Sequence, residues 1–279
     1  MHLVTGATGT VGPHVVDSLL ERGATVRVGL RRPAAAPPAL ASSTDVVRFD
    51  FEKPETWGDA LADVDGVFVL RPPGVDAETV ASFAAAAGRT GAERVAYLSG
   101  LGSGWNPLNS HYWSERRLED VAIECTFLRA SYFMQNLARY HGDSIAQRGE
   151  IVAPAGDGAV SFVDAHDIGA VAAAVLTEAG HENEAYTITG PAALSFEAVA
   201  ETLSDVLERS VEYVSPSLPR FALERYRAGD APVLLSTIYT ATRLGLTDTV
   251  TADVESVLGR APRSLRTYVE ADVESFRRD

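Results

Sequence analysis

The sequence predicts a doubly wound parallel α/β fold followed by a smaller, mostly helical C-terminal lobe. Three observations predict it. Short β-rich runs alternate with helical patterns through the first half, the rhythm of a parallel sheet with crossover helices. Several runs, such as Val67-Phe68-Val69-Leu70, are continuously apolar, as strands covered on both faces must be. A glycine-rich turn, Gly6-x-x-Gly9-x-x-Gly12, joins the first strand to the first helix.

In chain order, strands are expected at His2–Thr5, Thr25–Arg31, Asp45–Asp50, Gly66–Leu70, Arg94–Ser99 and Cys125–Arg129. Helices are expected between them at Val11–Arg22, Pro54–Leu61, Asp76–Thr90 and Ser110–Ile123. The second half is less regular. It should hold helices at Tyr132–Gln147, Asp164–Ala179 and Ser195–Arg209, further helical pieces beyond Pro216, and one short strand at Ala185–Thr189. No internal repeat or linker composition interrupts it. The expected division is a dinucleotide-binding domain over residues 1–150 and a substrate lobe over 151–279, part of which returns to the first domain.

Composition narrows the function. A length of 279 residues suits one large domain or a nucleotide-binding domain carrying a smaller lobe. The net charge is −14 and no basic stripe is present, which argues against nucleic acid as a partner. No apolar run approaches the roughly 20 residues a membrane span needs, and Met1-His2-Leu3-Val4-Thr5-Gly6 turns polar too early for a signal peptide. A single cysteine, Cys125, excludes an internal disulfide framework. The expectation is a cytoplasmic protein, monomeric or homodimeric, without membrane attachment. Asp164, His166, Asp167 and His181 do not fall into a recognised metal-ligand spacing, so no metal is expected.

The run Thr5-Gly6-Ala7-Thr8-Gly9-Thr10-Val11-Gly12 carries the strongest chemical signal. Gly6 permits the tight turn, Gly9 lets backbone approach a pyrophosphate, and Gly12 allows close helix packing. Backbone around Thr8, Thr10 and Val11 then offers N–H groups to the phosphates at the helix amino terminus. A dinucleotide site follows. Its second-strand end reads Gly29-Leu30-Arg31-Arg32-Pro33, with no acidic residue between Glu21 and Asp45 to hold a ribose 2′-hydroxyl. Arg31 and Arg32 stand where a 2′-phosphate would lie, so NADPH is the expected cofactor. Asp50 and Phe51, at the end of the third strand, suit an adenine contact. Leu70 and Arg71 end the fourth strand on the same cofactor edge. Ser99 ends the fifth, where its hydroxyl can meet a substrate carbonyl.

Leu3-Val4-Thr5-Gly6-Ala7-Thr8-Gly9, the Arg31 position, Asp50-Phe51, Thr126–Asn136 and Phe162-Val163-Asp164 with His166-Asp167-Ile168 together resemble the NmrA-like family. This is an atypical short-chain dehydrogenase/reductase group that includes NADPH-dependent quinone oxidoreductases and isoflavone-reductase relatives. The resemblance spans nearly the whole chain. It implies an NADPH-dependent reductase that delivers hydride to a conjugated carbonyl, quinone or imine-like acceptor, in a setting such as bacterial specialised metabolism. The alternative it implies is a non-catalytic NADP(H)-binding redox sensor.

The wider superfamily uses a Tyr and a Lys four residues apart on the helix after the fifth strand. Here the sole lysine is Lys53, far from that helix, which rules the pair out. On the Ser110–Ile123 segment, His111, Glu115, Leu118 and Ala122 share one helical face. His111 and Glu115 have the spacing of the missing pair, and a carboxylate beside the imidazole would favour its protonated form, making His111 a proton donor. Tyr132, just past the sixth strand, is a second candidate donor. Trp105, Trp113, Tyr132, Phe133 and Tyr140 are expected around the substrate mouth, suiting a flat, hydrophobic or aromatic small molecule. The Gly100–Pro107 loop reads as a flap.

Overall fold

The computed structural model describes residues 1–227 and 232–277. Its strands are β1 (His2–Thr5), β2 (Val26–Leu30), β3 (Asp45–Arg48), β4 (Gly66–Leu70), β5 (Arg94–Gly100), β6 (Glu124–Ala130), β7 (Glu150–Val152), β8 (Ala159–Val160), β9 (Ala185–Ile188), β10 (Leu194–Ser195) and β11 (Glu212–Val214). The α-helices are α1 (Gly12–Glu21), α2 (Pro38–Ser43), α3 (Trp57–Leu61), α4 (Ala77–Arg89), α5 (Tyr112–Glu119), α6 (Gln135–Arg148), α7 (Ala165–Thr177), α8 (Phe196–Leu207), α9 (Leu218–Arg227), α10 (Pro232–Arg243), α11 (Asp253–Leu258) and α12 (Leu265–Ala271).

Two compact units form. The first comprises Met1–Ala130, Ala165–Ile188 and Asp253–Arg260. Seven strands build its sheet in the order β3-β2-β1-β4-β5-β6-β9, each neighbouring pair parallel. The order reverses between β1 and β4, where a doubly wound sheet binds ligands beyond its carboxyl ends. One face is covered by an apolar cluster in which Phe83 of α4 meets Phe49, Phe51 and Trp57 at ring-centroid distances of 4.9, 5.2 and 5.4 Å. Burying Phe83 alone stabilises the unit by about 1.5–3 kcal/mol. Elsewhere α1 and α7 pack so closely that a Cβ on Gly169 would stand 2.6 Å from His14 backbone.

The first unit's opening segment ends at Ala130 rather than at residue 150, and residues 165–188 and 253–260 of the later segment return to it. α7 is buried around nearly its whole circumference, and β9 must pair with β6, so residues 165–188 belong with the sheet. α11 also joins the first unit, where Asp253 accepts the Thr187 N–H at 2.6 Å.

The second unit comprises Ser131–Asp164, Thr189–Ala252 and Ala261–Asp279. It holds the parallel pair β7–β11 and the antiparallel pair β8–β10, too short to stand out as periodic runs. α6 starts at Gln135 rather than Tyr132, because Phe133 is bridged to Val163 and Met134 N–H donates to Val163 O. In its core, His141 and Tyr239 share a hydrogen bond at 2.9 Å between Nε2 and the phenol oxygen. No helix among the described residues is long and apolar enough to cross a membrane.

Burial, reinforced by the nearby Arg225 charge, lowers the His141 pKa to about 3. The unfolded chain therefore takes up a proton below about pH 6.5 that the folded chain refuses until about pH 3. Stability is expected to fall as pH drops through that window. Urea midpoints at pH 7 and pH 4.5 should diverge less in His141→Gln than in the parent; equal divergence would remove His141 as a source of acid sensitivity.

Candidate active site

The site begins where β1 and β4 end. Their register stops at Val4 and Phe68, and Thr5 takes over with its side chain. Its hydroxyl donates to Phe68 O at 3.1 Å and accepts the Leu70 N–H at 2.9 Å. This brings Leu70 over the glycine turn, where a Cβ on Gly6 would lie 3.3 Å from the Leu70 side chain. Gly6 has φ of +69°, a conformation that favours glycine. Gly9 N–H closes the turn on Gly6 O at 2.9 Å.

Gly12 then begins α1 directly against the turn. A Cβ there would stand 2.1 Å from Gly6 O and 2.7 Å from Ala7 Cα, so no side chain fits. Val11, buried, occupies the N-cap position without a side-chain cap, and the first turn of α1 carries no acid. Thr8 and Gly9 are exposed and Thr10 half-buried beside it. N–H groups without a side-chain cap, exposed backbone at Gly9 and a glycine packed against the turn at Gly12 fit a diphosphate.

Arg31 and Arg32, immediately past β2, are exposed, and their side chains make no hydrogen bond or ion pair among the described residues. Both guanidinium groups remain available to a 2′-phosphate. The strand end and the Phe51 ring differ from expectation. β3 stops at Arg48, the Asp50 carboxylate accepts the Glu52 N–H at 3.1 Å, and Phe51 is buried against Phe49 with ring centroids 4.8 Å apart. Phe51 is thus a core residue. Arg71 is committed to main chain, donating to Val75 O at 2.8 Å and to Ser110 O at 3.0 Å.

The expected His111–Glu115 pair does not form. Glu115 is fully buried, and its carboxylate accepts from Arg129 Nη2 at 2.7 Å, from Ser99 Oγ at 2.5 Å and from Ser103 Oγ. Burial pushes the Glu115 carboxyl up, but Arg129, Ser103 and Ser99 together outweigh it and hold it below its ordinary value. Ser99, spent on this carboxylate, is not open to a substrate carbonyl. His111 instead shares a hydrogen bond with Tyr97, 2.9 Å between Nδ1 and the phenol oxygen. Burial first, then the Arg71 charge, lowers its pKa to about 4, against a smaller opposing effect of Glu115. An imidazolium donor is thereby replaced by a neutral imidazole. Leu118 packs inward as expected, whereas α5 ends at Glu119 and leaves Ala122 exposed beyond it.

Strand alternation explains the cluster. Tyr97 and Ser99 of β5 point to one face, and Arg129 of β6 lies in register with Ser99. Arg129 lies in the Thr126–Asn136 segment and Ser103 and Gly104 in the Gly100–Pro107 loop, but the sequence marks neither segment, nor Tyr97, as a partner of Glu115. The one available signal was Arg129 itself, a charge inside the apolar run Thr126–Ala130, which a buried strand tolerates only when paired. The Gly100–Pro107 segment is tied down rather than flap-like. Ser103 is buried, Leu101 N–H donates to Ala130 O at 2.9 Å, and a Cβ on Gly104 would lie 2.6 Å from the Arg129 guanidinium carbon. On this first unit Trp105 is 69% exposed and Trp113 58% exposed.

Tyr132 lies in the second unit. It is buried in that unit's core with its phenol oxygen 3.4 Å from that of Tyr239, and burial pushes its pKa well above the ordinary value. Tyr140 packs against the same core, and Phe133 is half-buried. Among the described residues no group of three His, Cys, Asp or Glu side chains is placed to hold a metal ion.

A profile of the NmrA-like family matches residues 2–225. The chain belongs to the NmrA-like family. An NAD(P)H azoreductase of Xenophilus azovorans is 33% identical over 99% of both chains. The Citrobacter triphenylmethane reductase in complex with NADP(H) superposes with a TM-score of 0.85 at 26% identity, covering 97% of this chain and 100% of the other. An NADPH-dependent quinone oxidoreductase of Escherichia coli in complex with NADPH gives 0.85 at 27% identity, covering 98% and 100%. The seven-stranded sheet is therefore the Rossmann-like sheet of NmrA-like proteins.

Replacing Arg31 and Arg32 together with alanine is expected to weaken NADPH binding about 10²- to 10⁴-fold while leaving NADH nearly unchanged, since each charged hydrogen bond contributes about 1.5–3 kcal/mol. Nicotinamide fluorescence titration measures both. Arg129→Met should lower stability by about 3 kcal/mol, because it strands the buried Glu115 charge. The double variant Glu115→Gln, Arg129→Met should recover part of that loss in urea unfolding; no recovery would mean that Arg129 acts through packing alone.

Proposed function

We propose that this chain is an NADPH-dependent reductase that delivers hydride to a flat, conjugated, hydrophobic acceptor such as a quinone, an azo compound or an imine-like molecule. The observation that carries the reading is the glycine turn, whose closure on α1 excludes any side chain at Gly12 and leaves the helix amino terminus uncapped. Arg31 and Arg32 extend it to a 2′-phosphate, and relatives named as NAD(P)H-dependent azo and quinone reductases support the same reaction class.

When bound, NADPH supplies the hydride. The chain's own contribution is positioning. The Gly6–Gly12 turn and α1 hold the diphosphate end, Arg31 and Arg32 hold the 2′-phosphate, and Leu70 closes over Gly6. Orientation of this kind supplies a large part of the barrier reduction for a transfer that needs no covalent protein intermediate. Glu115, buried and hydrogen-bonded by three residues, holds the end of β5 and the loop bearing Trp105 in place. Trp105 and Trp113 offer exposed aromatic surface to a planar acceptor.

Purified protein with NADPH is expected to lose reduced-nicotinamide absorbance when quinones or azo dyes are added, with saturable acceptor dependence. Tight NADPH binding without oxidation by any member of a quinone, azo, enone and imine panel would instead mean a cofactor-binding regulator.

A further inference from the structure

We propose that Tyr97 fixes His111 as the neutral tautomer with its proton on Nε2, so that His111 serves the reduction as a hydrogen-bond donor and not as an acid. The donor role rests on the reductase reading above; the tautomer does not.

Tyr97 is fully buried in β5, and burial raises its phenol above the ordinary value, so the oxygen keeps its proton. A buried hydroxyl proton needs an acceptor. His111 Nδ1, at 2.9 Å, is the acceptor present. The neighbouring Ser114 hydroxyl and Arg71 guanidinium both lower the phenol pKa, as donors to its oxygen do, so neither takes that proton. With Nδ1 accepting, the ring's own proton belongs on Nε2, which has no partner among the described residues.

The charges facing the ring keep it neutral. Arg71, from the segment after β4, opposes protonation, while Glu115, from the same helix, has its charge taken up by Arg129, Ser99 and Ser103. The ring is also held in place. His111 N–H donates to Asn109 Oδ1 at 3.0 Å, Asn109 Nδ2 donates to Leu101 O at 3.0 Å, and Arg71 anchors Ser110 O. Its Cδ2 lies 3.6 Å from where a Gly100 Cβ would stand, at the carboxyl end of β5. The carboxyl ends of parallel strands are where ligands of this fold bind.

A neutral imidazole that lost its Nε2 proton would become an imidazolate, so it does not protonate product at ordinary pH. It donates a hydrogen bond to the oxygen or nitrogen on which negative charge collects as hydride arrives at the far end of the conjugated system. The proton that completes reduction then comes from water. Acceptors ending in a carbonyl or azo nitrogen gain from this donor; those without such an atom do not. Tyr97 is a positioning residue in this scheme.

The test uses the full chain labelled with ¹⁵N-histidine. The ring signals of His111 among the six histidines are those missing from His111→Gln. Ring couplings at pH 6–8, with neither cofactor nor acceptor present, are expected to show a neutral Nε2–H tautomer. Tyr97→Phe should turn this into a mixture, leave NADPH affinity unchanged and lower kcat about tenfold, the effect of roughly 1.4 kcal/mol. His111→Asn should lose about 10²-fold in kcat for a quinone, whereas His111→Gln, whose amide reaches the Nε2 position, should retain most of it. An Nδ1–H tautomer, a charged ring at pH 7, or a Tyr97→Phe spectrum identical to the parent overturns the tautomer assignment. Equal kcat in the parent and His111→Asn overturns the donor role. Absence of any reducible acceptor overturns the reductase reading and the donor role with it, and leaves the tautomer assignment to the spectrum.

Discussion

A carboxylate with no exposure to water is the constraint around which the carboxyl edge of this sheet is built. Glu115 stays ionised inside the protein only because an arginine and two hydroxyls surround it, and those three groups come from three different places. Arg129 arrives from β6, Ser99 from β5 and Ser103 from the loop that follows. Meeting one buried charge therefore fixes the end of two strands, the pitch of α5 and the path of residues 100–110. An unmet charge there costs several kcal/mol, comparable to the whole stability of many domains. The glycine in the loop follows from the same demand, since Gly104 lies directly on the guanidinium.

This arrangement separates two residues whose spacing suggests partnership. His111 and Glu115 are four apart at the start of one helix, yet each is satisfied by a strand residue instead. The carboxylate is neutralised by Arg129 and the imidazole is kept uncharged by burial and Arg71. A superfamily that elsewhere lowers a tyrosine pKa with lysine here has no lysine near the site, and the phenol in the same neighbourhood, Tyr97, is raised rather than lowered. His111 and Tyr97 are thus both made poorer proton sources by their surroundings.

Much of the fold was legible because it depends on local rules. Alternating apolar runs and helices located six of the seven sheet strands and the helices between them, and Ala185–Thr189 located the seventh. The glycine turn was legible for the same reason: its spacing is a statement about backbone. What escaped was set by long-range pairing. β7 with β11 and β8 with β10 are two or three residues each, below any periodic signal. Phe51 was read as a cofactor contact because strand ends face the ligand in this fold, but two aromatic neighbours draw it into the core. Glu115 was found and its partner was not, since helix spacing offers His111 four residues away and says nothing about Arg129 across the sheet.

The order in which the sheet is completed has a consequence for synthesis on the ribosome. β6 is made by residue 130, but the strand that covers its outer edge, β9, begins at residue 185, and Asp253, which caps the Thr187 amide, comes later still. For that interval a seven-residue, largely apolar strand presents unpaired amides and carbonyls, the kind of edge on which chains aggregate. Slow translation across residues 130–185 would lengthen the exposure, and truncation anywhere before β9 leaves it permanent.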